Sequence, residues 1–204
     1  MDLILWRHAD AEAGFPDLAR QLTEKGRKQA EKMAAYLSTH LPSDTRILSS
    51  PAIRTQQTVR ALTKNFTIVP AIAPDASVHA VLQAVRWPDG RGTKAKSSRA
   101  HLPLLNPDET FSHSTRALKN NAQVAGYLPP AGEGENESLH EFCDTGHYTV
   151  LVVGHQPTLG AVAAQLLGSQ QTSLRIKKGS LWWFSCSEHS SETTLRLVLT
   201  PELL

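Results

Sequence analysis

Leu3-Ile4-Leu5-Trp6 is apolar at every position and stops abruptly at Arg7-His8. A run this short, without the in-out alternation of a half-exposed strand, reads as a central strand buried on both faces. Tyr148 to Val153 is a second such run, rich in β-branched residues, and it ends at Gly154-His155. A strand covered on both sides needs helices on both sides, and the segments between these runs supply them.

From Thr23 the pattern turns helical. Ala30, Met33, Ala34, Leu37 and Leu41 recur at three- and four-residue steps and make one apolar stripe. Thr23 is placed to cap this helix, Glu24 suits its positive end, and Pro42 stops it. Arg46 to Ser49 reads as a second strand. Ser50-Pro51 then offers a cap and a first-turn proline for a helix running to about Asn65, burying Val59, Leu62 and Phe66. Thr67 to Val69 is a third strand, and Val78, Val81, Leu82 and Val85 mark another helix. After Val153, Thr158 to Leu167 reads as a short apolar helix. Ser180 to Ser185 and Leu195 to Leu199 read as a closing strand pair. Strands alternating with helices predict an α/β fold, a three-layer sandwich whose mostly parallel central sheet is flanked by helices.

The 204 residues fit a single domain, 1–204. Residues 87–146 read as an insertion or elaborated loop region. Within it Pro88 to Arg99 and Pro129 to Ser138 have loop composition, and Thr110 to Tyr127 has room for a helix. The net charge of +2 is too mild to argue for nucleic acid or membrane, and Lys94, Lys96 and Arg99 read as a solvated basic loop. No apolar stretch reaches membrane-spanning length and no basic leader opens the chain. Cys143 and Cys186 lie in no metal-type pattern and read as ordinary thiols in a reducing compartment. The expectation is a cytoplasmic protein.

In open α/β sheets ligands bind beyond the carboxyl ends of the strands. Arg7 and His8 follow the first strand. Ser49, Ser50 and Pro51 follow the second, with Arg54 one helical turn on. Gly154 and His155 follow the Tyr148–Val153 strand. Two histidines and two arginines thus converge on one rim. That set suits phosphoryl transfer. Neutral imidazole can attack phosphorus and hold the group covalently. Guanidiniums grip anionic oxygens in bidentate fashion, and a second, protonated histidine can donate to an equatorial oxygen. Ala9 and Gly154 are small enough for backbone to approach a phosphate, and helix starts near Pro51 and Pro157 can add backbone donors.

Three segments, Leu5-Trp6-Arg7-His8-Ala9, Leu48-Ser49-Ser50-Pro51-Ala52-Ile53-Arg54-Thr55-Gln56-Gln57-Thr58 and Val152-Val153-Gly154-His155-Gln156-Pro157, together resemble the histidine phosphatases, the phosphoglycerate mutase-like superfamily. Within it the chain is most similar to the SixA-type phosphohistidine phosphatases. Asp10, the segment Arg20-Gln21-Leu22-Thr23-Glu24-Lys25-Gly26, and the ending Ile176-Lys177-Lys178-Gly179-Ser180-Leu181-Trp182 with Leu199-Thr200-Pro201 carry that likeness. The resemblance covers 1–85 and 149–204. It implies that His8 is the nucleophile, that Arg7 and Arg54 bind phosphate, that His155 completes the pocket, and that Arg20 is a further phosphate ligand; the plainer reading of Arg20 is a solvated loop charge paired with Asp17 or Glu24. It implies no cofactor and no metal.

Two positions depart from the family pattern. Ala9 stands where glycine is usual, and Gln156 follows His155 where many relatives carry an acid. Asp75 is then the candidate general acid, with its plainer reading a turn residue or cap ahead of the helix at Val78; Asp108 and Glu109 of the insertion are further options. An alkoxide leaving group needs a proton, whereas imidazole can leave neutral, so a site without a strong acid favours phosphohistidine. The expected activity is hydrolysis of phosphohistidine on a protein through a covalent phosphohistidine enzyme intermediate. The alternatives are a phosphatase of a small phosphorylated metabolite and a non-catalytic phosphoprotein-binding module. Expected partners are a phosphorylated protein or small phosphorylated substrate, with no nucleic acid, no membrane, and a monomer or weak dimer.

Overall fold

The computed structural model describes residues 1–88, 148–187 and 192–204. The helix expected over 110–127, the flanking loops, and the acids Asp108 and Glu109 lie outside the described residues.

Six strands, β1 (Asp2–Arg7), β2 (Arg46–Ser49), β3 (Thr67–Ile68), β4 (Thr149–Gly154), β5 (Leu181–Cys186) and β6 (Thr193–Leu199), form one sheet in the order β3-β2-β4-β1-β5-β6. The first four in that order are mutually parallel, while β5 and β6 are antiparallel additions at the edge beside β1. Among the described residues, four helices cover the sheet: α1 (Glu24–His40), α2 (Ile53–Arg60), α3 (Val78–Val85) and α4 (Thr158–Leu166).

Alternation along β1 divides the core. Leu3 and Leu5 face α3 and α4, packing with Val81, Val85, Leu159 and Val162. Ile4 and Trp6 face α1 and α2, packing with Met33, Leu37 and Val59. All four β1 side chains are fully buried, so the expected three-layer sandwich is the fold observed. Trp182 and Trp183 likewise point to opposite faces, each joining a different core.

Local signals set the element ends. Thr23 caps α1, its hydroxyl accepting from the Gly26 N–H at 2.9 Å, and the Thr23 hydroxyl also donates to the Asp10 carboxylate. Gly26 is required there, because a Cβ would collide with the Asp10 carbonyl. This close approach seats α1 against the segment that follows β1. One boundary differs from expectation: α2 starts at Ile53 with Ala52 as its cap, three residues beyond Ser50. The Ser50 hydroxyl is engaged elsewhere, with His155. The helix also ends at Arg60, and Leu62 and Phe66 pack from the loop beyond it.

Candidate active site

The parallel strands end in register. Arg7 of β1 is opposite Gly154 of β4, and Ser49 of β2 is opposite Val153. The residues that follow, His8, Ser50 and His155, therefore emerge side by side from three adjacent strands. All three are buried, as is Arg54 in the first turn of α2. The His8 and His155 rings lie 5.3 Å apart between centroids.

The backbone of His8 is held from both sides. Its N–H donates to the Gly154 carbonyl at 3.1 Å, and its carbonyl accepts from the Gly179 N–H at 3.1 Å. Gly179 has φ +74, a left-handed conformation that suits glycine, and its own carbonyl accepts from the Trp6 indole. The His8 ring is fixed as well. Nδ1 is 2.7 Å from the Ala9 carbonyl oxygen. A carbonyl only accepts, so the proton sits on Nδ1 and Nε2 carries the free lone pair. Burial, and with it the positive Arg54, Arg7 and Lys178, takes His8 down to about 4, although the bond to Ala9 pulls the other way.

His155 has the opposite tautomer. Its Nδ1 is 3.2 Å from Nη2 of Arg54, a group that can only donate, so Nδ1 accepts. Its proton lies on Nε2, which donates to the Ser50 hydroxyl at 2.7 Å. Burial first, then His8 and Arg54, push His155 down to about 3. The ring thus stands neutral and accepts from Arg54, whereas the sequence reading envisages a protonated donor.

Arg54 is locked in place by Asp17. Nη1 donates to the Asp17 carbonyl at 2.6 Å and Nη2 to its carboxylate at 2.8 Å. Arg7 donates through Nη1 to the Ile176 carbonyl at 2.7 Å. Burial above all, with Arg175 nearby, lowers the pKa of Arg7. The Nε atoms of both Arg7 and Arg54 are buried with no hydrogen-bond partner. Two buried guanidinium donors are therefore left over for an anion.

Arg20, the further phosphate ligand of the family reading, is turned to Asp17. Its Nε and Nη2 lie 2.9 and 2.7 Å from the Asp17 carboxylate, and Nη1 donates to the Glu12 carbonyl. It reaches Arg54 only through Asp17. Asp75 is an exposed turn residue at φ 68, and makes no hydrogen bond to His8, His155, Arg7 or Arg54. The cap of α3 is Ser77. Gln156 points its amide at the Leu174 carbonyl, 2.8 Å away. The small residues also have structural partners: the Ala9 N–H donates to Thr58, and a Cβ on Gly154 would press on Leu159. Sequence reasoning gave Asp17 and Ser50 lesser parts than they have here. The only signal for Asp17 was its place three residues before Arg20, and Ser50 resembled a helix cap.

A sheet ending in two histidines beside the buried Arg54 and the half-buried Arg7 is the arrangement that the sequence resemblance implies for a histidine phosphatase. The family model of the histidine phosphatase superfamily (branch 1) matches residues 3–77. The phosphohistidine phosphatase SixA homolog of Haemophilus influenzae is 33% identical over 119 residues, covering 52% of this chain and 73% of that protein. The chain belongs to the histidine phosphatase superfamily and, within it, to the SixA type; it is a phosphatase of that superfamily. Solved structures agree on the fold. SixA complexed with tungstate superposes with a TM-score of 0.63 at 18% identity, over 100% of this chain and 99% of that one. The phosphoserine phosphatase of Entamoeba histolytica with phosphoserine gives 0.57 at 12%, over 100% and 98%. The α-ribazole phosphatase of Shigella flexneri gives 0.54 at 18%, over 98% and 97%. Among the described residues, no helix is long and apolar enough to cross a membrane.

Proposed function

We propose that this phosphatase hydrolyses phosphohistidine on a protein, with His8 as the nucleophile. The observation that carries the reading is the Nδ1 contact of His8 with the Ala9 carbonyl, which leaves Nε2 unprotonated in a buried, cation-rich site. The Nε2 lone pair attacks phosphorus as the N–P bond of the substrate breaks. The departing electron pair returns to the substrate imidazole, which leaves neutral when its distal nitrogen is protonated. Water then attacks the His8-bound phosphoryl group, releasing inorganic phosphate and restoring His8.

Arg7 and Arg54 hold the equatorial oxygens through the donors that protein groups leave unused. His155 stays neutral, accepting from Arg54 through Nδ1 and so helping to hold that guanidinium at the pocket.

The preference for phosphohistidine is supported by the carboxylates around the site. Asp17 is kept ionised by Arg54 and then Arg20, and Asp10 by Lys178. Both are poor proton donors, which suits a leaving group that needs none. Phosphate release from a histidine-phosphorylated protein and from p-nitrophenyl phosphate, in EDTA, tests the reading. Wild type should prefer phosphohistidine, and His8→Ala should lose turnover on both. Activity on small esters alone moves the substrate to a metabolite. Phosphoprotein binding without turnover makes the protein a binding module.

A further inference from the structure

Asp17 sits in a short 3-10 turn, Asp17–Ala19, and its side chain is 51% exposed, yet it contacts the deeply buried Arg54. One carboxylate oxygen takes Nη2 of Arg54 and the other takes Nε and Nη2 of Arg20. The Asp17 carbonyl takes Nη1 of Arg54. Asp17 thus joins two cations that would otherwise repel each other.

A carboxylate on a phosphate-binding arginine has two readings. It is a competitor that phosphate must displace, or a strut that aims the arginine. The atoms used decide between them. Asp17 occupies the Nη1 and Nη2 end of the Arg54 guanidinium. It leaves Nε, which is buried and has no partner. Arg54 also keeps its bond to His155 while Asp17 is in place. Arg54 can therefore hold Asp17 and an anion together.

We propose that Asp17 is a positioning residue for the phosphate site. It orients Arg54 so that Nε faces the bound phosphoryl group, and Arg20 contributes by holding Asp17. This rests on the reading of Arg7, Arg54 and the two histidines as a phosphate site. Removing the charge frees the guanidinium to rotate, and the anion then has to order it.

The test is binding of inorganic phosphate by titration calorimetry to wild type, Asp17→Asn, Asp17→Glu and Arg20→Ala, alongside kcat and KM on p-nitrophenyl phosphate. Asp17→Asn should weaken phosphate binding and raise KM about tenfold, the effect of one charge-assisted hydrogen bond, with a smaller change in kcat. Asp17→Glu should recover part of the loss. Arg20→Ala should act in the same direction and add little on top of Asp17→Asn. The melting temperatures of the variants serve as the folding control. Phosphate binding that is unchanged or tighter in folded Asp17→Asn overturns the proposal, the tighter result marking Asp17 as a competitor. A wild type that binds phosphate but turns over no substrate sinks the enzymatic reading and leaves the binding comparison to judge Asp17. A wild type that binds no phosphate overturns both.

Discussion

Arg54 donates through Nη2 to Nδ1 of His155 at 3.2 Å, and this contact assigns the His155 proton to the far nitrogen. That nitrogen meets Ser50. The chain Asp17–Arg54–His155–Ser50 therefore carries charge and proton placement from an exposed loop into the buried end of β2. His8 is a separate unit, fixed by its own backbone neighbour. Perturbing the chain should alter anion binding, and perturbing His8 should alter chemistry.

Ser50→Ala leaves the Nε2–H of His155 without its acceptor in a buried place. A buried donor stranded in this way costs about 1–3 kcal/mol. The variant should unfold at lower denaturant concentration, and its KM for p-nitrophenyl phosphate should rise. Urea denaturation and steady-state kinetics measure the two effects.

Arg54→Lys keeps the charge and loses the fork. An ammonium on a single stem cannot serve Asp17, His155 and a phosphoryl oxygen with fixed geometry. KM should rise by on the order of tenfold or more, the scale of a lost charged hydrogen bond. A lysine variant with wild-type KM would show that charge alone suffices.

The two histidines also predict a pH dependence. Unfolded, each protonates near 6.5; folded, His8 does so near 4 and His155 near 3. Between these values the unfolded chain binds more protons, so stability falls as pH drops from about 6.5 towards 4. The stabilising contribution is present above pH 6.5 and lost as pH falls through the folded values. Urea midpoints taken from pH 7 down to pH 4 check the sign. The imidazole NMR signals of His8 should titrate well below those of a free histidine.

Gly26→Ala should destabilise the fold without touching the rim. The added methyl group meets the Asp10 carbonyl, a backbone atom that cannot swing aside. Overpacking of this kind costs roughly 1–3 kcal/mol. Thermal unfolding of the variant measures it.

The architecture was legible because Leu3–Trp6 of β1 and Val150–Val153 of β4 are apolar at every position, and only a doubly covered sheet accommodates such runs. The four rim residues were legible because strand ends are where such a sheet presents ligand groups. What escaped was the wiring between them. The start of α2 was misplaced because Ser50 has the chemistry of a helix cap, and nothing local shows that His155, 105 residues away, takes its hydroxyl. Asp17 escaped for the same reason, since its partner Arg54 is distant in sequence. Arg20 carried two readings, loop ion pair and phosphate ligand. The contact with Asp17 shows how a loop pair can still bear on the phosphate site.

The central claim is that the phosphoryl group passes through His8. Wild-type protein mixed with a histidine-phosphorylated protein, quenched in alkali within a single turnover and digested, reports the site by mass spectrometry. The account predicts a phosphoryl group on the peptide that carries His8, disappearing as inorganic phosphate forms, and absent from a folded His8→Ala variant. A phosphoryl group on any other residue, or near-wild-type turnover by His8→Ala, would contradict it.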